Sequence, residues 1–157
     1  MDKSEIFNLF QHTDIDIQNF VESYQEIVKI GSKFNQGYWV NVSDIGTLID
    51  FRTELSAQKT FISNLTGTFK VKVNEAIAKR KIEYSSKNVE FLEKKMAIGK
   101  AKAKAEVYGN VFLPSENLYE SLYHKGKLQI NSVDTLLQVI RDKESFIKLE
   151  WDNSKKY

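Results

Sequence analysis

The chain has 157 residues, 41% of them apolar, a formal net charge of +2 and no cysteine. That length and apolar content fit one ordinary globular domain, and the lack of cysteine excludes disulfides and thiolate metal sites. The N-terminus lacks the basic start and apolar run of a signal peptide, and no stretch approaches the roughly 18 apolar residues of a membrane span. We therefore expect a cytoplasmic protein with no membrane association. The many Lys, Asn, Ile and Ser residues indicate an AT-rich coding sequence, as in a low-GC bacterium or its phage, and a phage-encoded chain would lie in the host cytoplasm.

The charge is unevenly distributed along the chain. Residues 1–54 carry 4 basic and 9 acidic side chains, residues 55–109 carry 12 and 5, and residues 110–157 carry 7 of each. A basic middle beside an acidic start indicates either an anionic partner or attraction between the two segments, within the fold or between subunits. We predict a single helical domain over 1–157, with an acidic N-terminal part, a basic long-helix part and C-terminal helices over 115–152.

The first strong helical pattern follows Thr13 or Asp14, either of which can cap it. Apolar residues then recur at helical spacing, at Ile17, Phe20, Val21, Tyr24, Ile27 and Val28. This helix is predicted to end at Gly31, and a shorter helix is predicted over 3–10.

Residues 31–44, GSKFNQGYWVNVSD, interrupt the helical pattern with glycines and asparagines. They predict a short strand or an irregular aromatic loop, in which the pair Tyr38-Trp39 is a core anchor, a contact surface or a stacking platform. The core anchor is the favoured interpretation. Ser43 or Asp44 is the expected N-cap of the next helix.

A 3-4 apolar repeat then begins, at Leu48, Phe51, Leu55, Ile62, Leu65 and Phe69, with the polar Gln58 at one position. Such a seam is typical of helical bundles and coiled coils. Residues 64–68 are a possible turn or kink, after which a long helix is predicted over 71–108. Its apolar residues are spread widely enough to cover two faces, which suits a bundle or an oligomer interface.

The C-terminal third predicts two further helices. One starts at Leu113-Pro114-Ser115, where proline suits the first turn, and ends at Gly126. The last begins near Asn131 or Ser132. The fold class is therefore all-α, a helical bundle with one or two long helices that resembles a coiled coil.

Catalytic and cofactor signals are poor. The two histidines, His12 and His124, have no histidine or cysteine at ligand spacing, and no Gly-rich phosphate loop or nucleophile elbow occurs. Glu90 and Glu93 lie on a lysine-rich stretch and are better explained as ion-pair partners than as an acid–base pair. We expect no enzyme, no metal and no cofactor.

The strongest functional signal is the segment of Lys79, Arg80 and Lys81, followed by Tyr84 and Lys87. Three consecutive cations fan across roughly 200° of a helix, so they cannot all face a core. Phosphates favour such an arrangement because counterions are released, and a tyrosine can stack on an unpaired base. The alternative is a solvated basic face that pairs with neighbouring glutamates or with the acidic N-terminal part.

The stretch AIAKRKIEYSSK resembles the basic helix of the UvsY-like family of phage recombination mediators, and IRDKESFIKLEW resembles that family's last helix. In the first stretch Lys79, Lys81, Ile82, Glu83 and Tyr84 match the family pattern. In the second, the matches are Arg141, Ile147, Lys148, Glu150 and Trp151. The first stretch departs from the pattern where Lys81 stands in the place of the usual arginine, where Ser85 replaces a second tyrosine, and where Ser86 and Lys87 replace a glycine.

The resemblance implies a small helical protein that forms a ring-like oligomer, binds single-stranded DNA, helps displace the single-strand-binding protein and loads a RecA-like recombinase. Lys79, Arg80 and Lys81 would contact phosphates. The last helix would supply subunit contacts through Ile140, Ile147 and Trp151. The competing hypothesis is a helical structural or protein-interaction module, such as an assembly or inhibitory factor, that does not bind nucleic acid.

Overall fold

The computed structural model describes residues 14–156, and every regular element within them is helical. The helices are α1 (Ile15–Gln36), α2 (Asp44–Glu93), α3 (Ile98–Gly109) and α4 (Leu113–Ser154), and a 3-10 turn (Asn110–Phe112) joins α3 to α4. The all-α prediction with one or two long helices is confirmed, because α2 has 50 residues and α4 has 42. The helix predicted over 3–10 lies outside the described residues.

The chain forms two compact units. The first unit consists of Asp14–Leu65 and residues 126–156, and the second unit of Thr66–Lys125. Both boundaries fall inside helices, so α2 and α4 each contribute one part to each unit. Each unit therefore contains segments of three helices.

The core of the first unit comes from α1, α2 and α4. Its buried apolar residues are Ile17, Phe20, Ile27, Ile30 and Phe34 on α1, Leu48, Leu55, Ile62 and Leu65 on α2, and Val133, Leu137, Ile140 and Ile147 on α4. The buried residues of each helix recur at spacings of three and four, so each helix turns one apolar face inward.

The 3-4 seam predicted along α2 is buried, apart from the half-buried Phe51. Its polar position, Gln58, accepts a hydrogen bond at 2.5 Å from the hydroxyl of Ser23 on α1, a residue only 4% exposed. A polar side chain in a seam is tolerated where its hydrogen-bonding group is paired. The gap in the apolar repeat is therefore a contact between two helices of the first unit.

The aromatic loop between α1 and α2 contains no strand and is anchored by Trp39. The indole Nε1 donates to the carbonyl of Phe34 at 2.8 Å, and the ring stacks on Phe34 and meets Phe51 edge-on. A β-carbon at Gly37 would lie 2.0 Å from this ring, so glycine is required there by close approach. The core-anchor interpretation holds for Trp39, whereas Tyr38 is 86% exposed.

Several predicted helix ends were wrong. Asp14 caps α1 as expected, but the helix continues through Gly31 to Gln36, and a β-carbon at Gly31 would touch Leu136. Residues 64–68 are helical, and Gly126 lies buried inside α4, so the two predicted C-terminal helices are one. These helices continue past glycine because tertiary packing outweighs a propensity cost of about 1 kcal/mol.

Helix α2 ends at Glu93 instead of continuing to residue 108. The amide of Met96 donates to the carbonyl of Phe91, and that of Lys95 donates to the carbonyl of Leu92. Lys95 has a positive φ of 56°. These bonds form a Schellman cap, in which a non-glycine residue takes the left-handed position. Met96 packs against the apolar cluster to which Phe91 belongs, so an apolar contact accompanies the cap.

Candidate nucleic-acid interface

The basic segment lies on α2 within the second unit, where the helix has two opposite faces. At about 100° per residue, the residues that share the inner face are Phe69, Val73, Ala76, Arg80, Tyr84, Lys87 and Phe91. The apolar members of this face are buried. The five predicted contact residues therefore divide into two groups, because Arg80, Tyr84 and Lys87 lie on the inner face and Lys79 and Lys81 do not.

Arg80 makes a two-pronged ion pair with Glu116 on α4. Its Nε lies 2.7 Å from one carboxylate oxygen and its Nη2 lies 3.1 Å from the other. The side chain of Glu116 is 14% exposed and that of Arg80 is 34% exposed. Paired geometry of this kind is among the stronger side-chain interactions. Arg80 thus holds α2 to α4, and only part of its guanidinium faces solvent.

Tyr84 packs against a small cluster formed by Phe91 with Ala101 and Ala105 of α3. A β-carbon at Gly109 would lie 3.3 Å from the β-carbon of Tyr84. Small residues at positions 101, 105 and 109 therefore let α3 approach α2 closely. Tyr84 is half-buried, so part of its ring remains accessible.

Lys87 is also engaged within the second unit. Its ammonium group lies 2.8 Å from the carboxylate of Glu90 and 5.2 Å from the centre of the Tyr108 ring. Hydrogen bonds from Lys87 and then Lys94 lower the pKa of Glu90 to about 2, and the bond to Glu90 raises the pKa of Lys87. At neutral pH one ionised carboxylate thus compensates charge on two lysines. The predicted pairing of Glu90 on the basic helix is confirmed.

Lys79 and Lys81 are exposed, and neither forms an ion pair with another of residues 14–156. They belong to a unit with 12 basic and 7 acidic side chains over residues 66–125, a net charge of +5. Further exposed lysines of the same unit are Lys95, Lys100, Lys102 and Lys104, whereas Lys94 pairs with Glu90. The uncompensated positive charge of this unit is therefore concentrated on α2, on α3 and in the turn between them.

A cleft of about 360 Å³ opens beside Lys81. The residues that line it are Arg80, Lys81, Tyr84, Glu106, Gly109 and Asn110. Two cations, one aromatic ring, one carboxylate and one amide thus border the same open space. Charged, stacking and hydrogen-bonding groups of this kind are those that contact phosphates and unpaired bases.

The sequence alone does not indicate that Glu106, Gly109 and Asn110 border a site. Gly109 and Asn110 predict only a helix end, and Asn110 does follow the last residue of α3. The spacing of residues 101, 105 and 109 was an available signal, because small residues four apart on a helix mark a face that approaches another helix closely.

The C-terminal residues predicted at a subunit interface lie in different surroundings. Ile140 and Ile147 are 0% and 1% exposed and belong to the core of the first unit. Their side chains are thus occupied by contacts within the chain. Trp151 is 44% exposed, and the ammonium group of Lys155 lies 3.3 Å from the centre of its ring.

Within residues 14–156 no group of three or more His, Asp or Glu side chains is arranged to hold a metal ion. His124 is exposed beside Tyr123, and His12 lies outside the described residues. In the same range no helix combines the length and the apolar character needed to cross a membrane. No protein-family model matches the chain, and no curated protein or solved structure is significantly similar to it. The resemblance to the UvsY-like family rests on the two sequence segments alone.

Proposed function

We propose that this chain is an accessory protein that binds single-stranded nucleic acid through the surface formed by Lys79, Lys81 and the adjacent cleft. The chain has no catalytic role in this proposal. Arg80, through its exposed part, and Tyr84 border the same surface, whereas Lys87 acts mainly within the fold.

The observation that supports the proposal is the exposure of Lys79 and Lys81, because Lys81 borders a cleft that also contains a tyrosine ring. Cations without a carboxylate partner can exchange their counterions for phosphates without breaking an ion pair. A base that enters the cleft would meet Tyr84, and stacking on an aromatic ring favours unpaired bases. Single strands are therefore preferred over duplexes in this proposal.

The resemblance to the UvsY-like family makes the proposed function more specific, namely that of a recombination mediator. In that form the bound strand is DNA, the protein partners are a RecA-like recombinase and a single-strand-binding protein, and several copies act together. Both the resemblance and the exposed positive charge support Lys79 and Lys81 as the residues that contact the phosphates of the bound strand.

The test is fluorescence anisotropy of a labelled single-stranded oligonucleotide, titrated at about 50 and about 200 mM salt. We expect the wild-type affinity to fall steeply with salt. Replacing both Lys79 and Lys81 with alanine should lower the affinity and reduce the slope of log K against log salt by about 1.4, because two phosphate contacts are lost. Arg80 is left unchanged because its loss would also disturb the pairing with Glu116.

Lys143 and Lys148 provide a matched control. Both are exposed lysines on a helix, but they lie on α4 in the first unit. Changing both to alanine removes the same charge and should leave most of the affinity intact. Absence of binding at the lower salt, or equal losses in the two double variants, would contradict the proposal.

A second candidate is a helical protein-interaction module that does not bind nucleic acid. It is favoured by the large apolar side chains that the second unit exposes, including Ile82 at 68%, Ile98 at 66% and Val111 at 71%. Exposed apolar groups on one surface often mark a protein contact. The anisotropy experiment separates the two candidates, because this module would not bind the oligonucleotide at either salt concentration.

A further inference from the structure

Helix α2 has a second seam on the side opposite its inner face. The residues of this outer face are Val71, Glu75, Ala78, Ile82, Ser85, Val89 and Leu92, at alternating spacings of four and three. They lie within an arc of about 100°. All seven are exposed, with Ile82 at 68%, Val89 at 54% and Leu92 at 39%. The sequence predicted two covered faces on this helix, and within residues 14–156 only one is covered.

A sustained 3-4 spacing is the pattern by which one helix packs along another. A helix that needed only its inner contacts would be expected to carry polar residues here. The outer face instead has one charged residue, Glu75, among small and apolar ones. The pattern therefore suits a partner helix of similar length better than a globular surface or a small molecule.

Side-chain size alternates over the central part of the outer face, from Ala78 to Val89. The large residues Ile82 and Val89 occupy one set of heptad positions, and the small residues Ala78 and Ser85 occupy the other. In an antiparallel helix pair, each set faces the opposite set of the partner. A second copy of α2 would thus place Ser85 opposite Ile82 and Ala78 opposite Val89. In these central layers each large side chain meets a small one, and the end layers place Leu92 opposite Glu75. The central part of the face is therefore complementary to itself.

The flanking charges fit the same register. Lys79 would lie opposite Ser86 of the second copy, and Lys81 opposite Asn88, so no two cations meet. Glu75 falls in the last layer of the overlap, where water can reach it. A parallel pair would instead place Glu75 against Glu75, which like-charge repulsion disfavours.

We propose that the outer face of α2 pairs with the same face of a second copy of this chain, antiparallel, about a twofold axis between Glu83 and Tyr84. The overlap covers residues 74–93, a length of roughly 30 Å. The same patch serves both copies, as in the common twofold dimers. Lys79 and Lys81 of both copies flank the pair and remain at its edges. The pairing does not depend on nucleic acid.

Sedimentation velocity of the full chain without nucleic acid, over a wide range of protein concentration, tests the pairing. We expect a dimer that dissociates on dilution, and an Ile82→Asp variant whose dimerisation is at least about tenfold weaker. The matched control is Val107→Asp on α3, because Val107 is 67% exposed and lies outside the outer face. A wild-type chain that stays monomeric, or a dimer that both variants weaken equally, would overturn the proposal.

Disulfide crosslinking tests the orientation, and the chain has no native cysteine to interfere. In the antiparallel register, an Ile82→Cys chain faces a Ser85→Cys chain. Mixing the two variants, one of them affinity-tagged, should give a linked heterodimer, whereas each variant alone should link poorly. Efficient linking of each variant alone would indicate a parallel pair, and no linking in any mixture would exclude pairing through this face.

The two proposals fail separately. Ile82→Asp should weaken dimerisation at least about tenfold, while oligonucleotide contacts by Lys79 and Lys81 persist in the monomer with reduced avidity. The Lys79 and Lys81 alanine variant should bind the oligonucleotide more weakly and still sediment as a dimer. A variant that loses both dimerisation and oligonucleotide binding without unfolding would show that the outer face and the surface of Lys79 and Lys81 are not independent. That result would overturn the proposal that the outer face serves only for pairing.

Discussion

Replacing Phe69 with alanine should lower the free energy of unfolding by about 4 kcal/mol. Phe69 is fully buried on the inner face of α2, and its ring stacks on Tyr119 of α4 with centroids 6.3 Å apart. The substitution removes apolar contact area and leaves a cavity that rigid helices fill only in part. Urea denaturation followed by far-UV circular dichroism measures the change.

Phe61, eight residues earlier on the same helix, provides the control. It is 43% exposed, so the same Phe-to-Ala change should alter the free energy of unfolding by less than about 1 kcal/mol. Equal losses at the two positions would mean that the seam of α2 does not bury Phe69 as described.

Replacing Arg52 with alanine should lower the free energy of unfolding by about 3 kcal/mol. Its guanidinium donates at 2.8 Å to Glu144, a residue that is 5% exposed in the first unit. The other carboxylate oxygen of Glu144 has no hydrogen-bond partner among residues 14–156. Without Arg52 the carboxylate would therefore stay buried with neither a counter-charge nor a donor. Chemical denaturation at neutral pH measures the loss.

The ion pair of Lys59 and Asp134 gives a matched comparison, because it joins the same two helices at 2.6 Å but the side chain of Asp134 is 50% exposed, against 6% for that of Glu144. Lys59→Ala should cost less than about 1 kcal/mol. Replacing Arg52 and Glu144 together with methionine should be nearly neutral or stabilising. If Arg52→Ala lowers the free energy of unfolding by no more than Lys59→Ala does, the buried carboxylate of Glu144 must interact with another group.

Regular spacing allowed the helices and the seam to be predicted from sequence. The repeat from Leu48 to Phe69 predicted which residues of α2 are buried, because burial on a helix follows its periodicity. Glycine was a poor guide to helix ends. Gly31 and Gly126 lie inside helices, whereas α2 ends at Glu93 and is capped by Lys95, a lysine in the position that glycine usually occupies. A cap formed by backbone hydrogen bonds and an apolar contact does not require particular residue types, so it is hard to predict from sequence.

The basic segment was identified from sequence, but the roles of its residues were not. Arg80, Tyr84 and Lys87 are spaced four and three apart, which is the spacing of the buried face, yet their polarity suggested a solvent-facing surface. Arg80 is stabilised on that face by its ion pair with Glu116, which is 36 residues away in the sequence. A pairing over that distance depends on how α4 lies against α2, which local patterns do not specify.

The division of the chain into units also bears on the order in which it folds. Thr66–Lys125 is continuous, whereas the first unit joins segments on either side of it, so Arg52 must find a partner 92 residues away. Loop-closure entropy grows with the length of the loop, and structures built from near neighbours in sequence form sooner. We therefore expect the second unit to form first and to shorten the loop that the first unit must close. Pulse-labelled hydrogen exchange would then find amides of α3 protected before those of α1, and the reverse order would contradict this expectation.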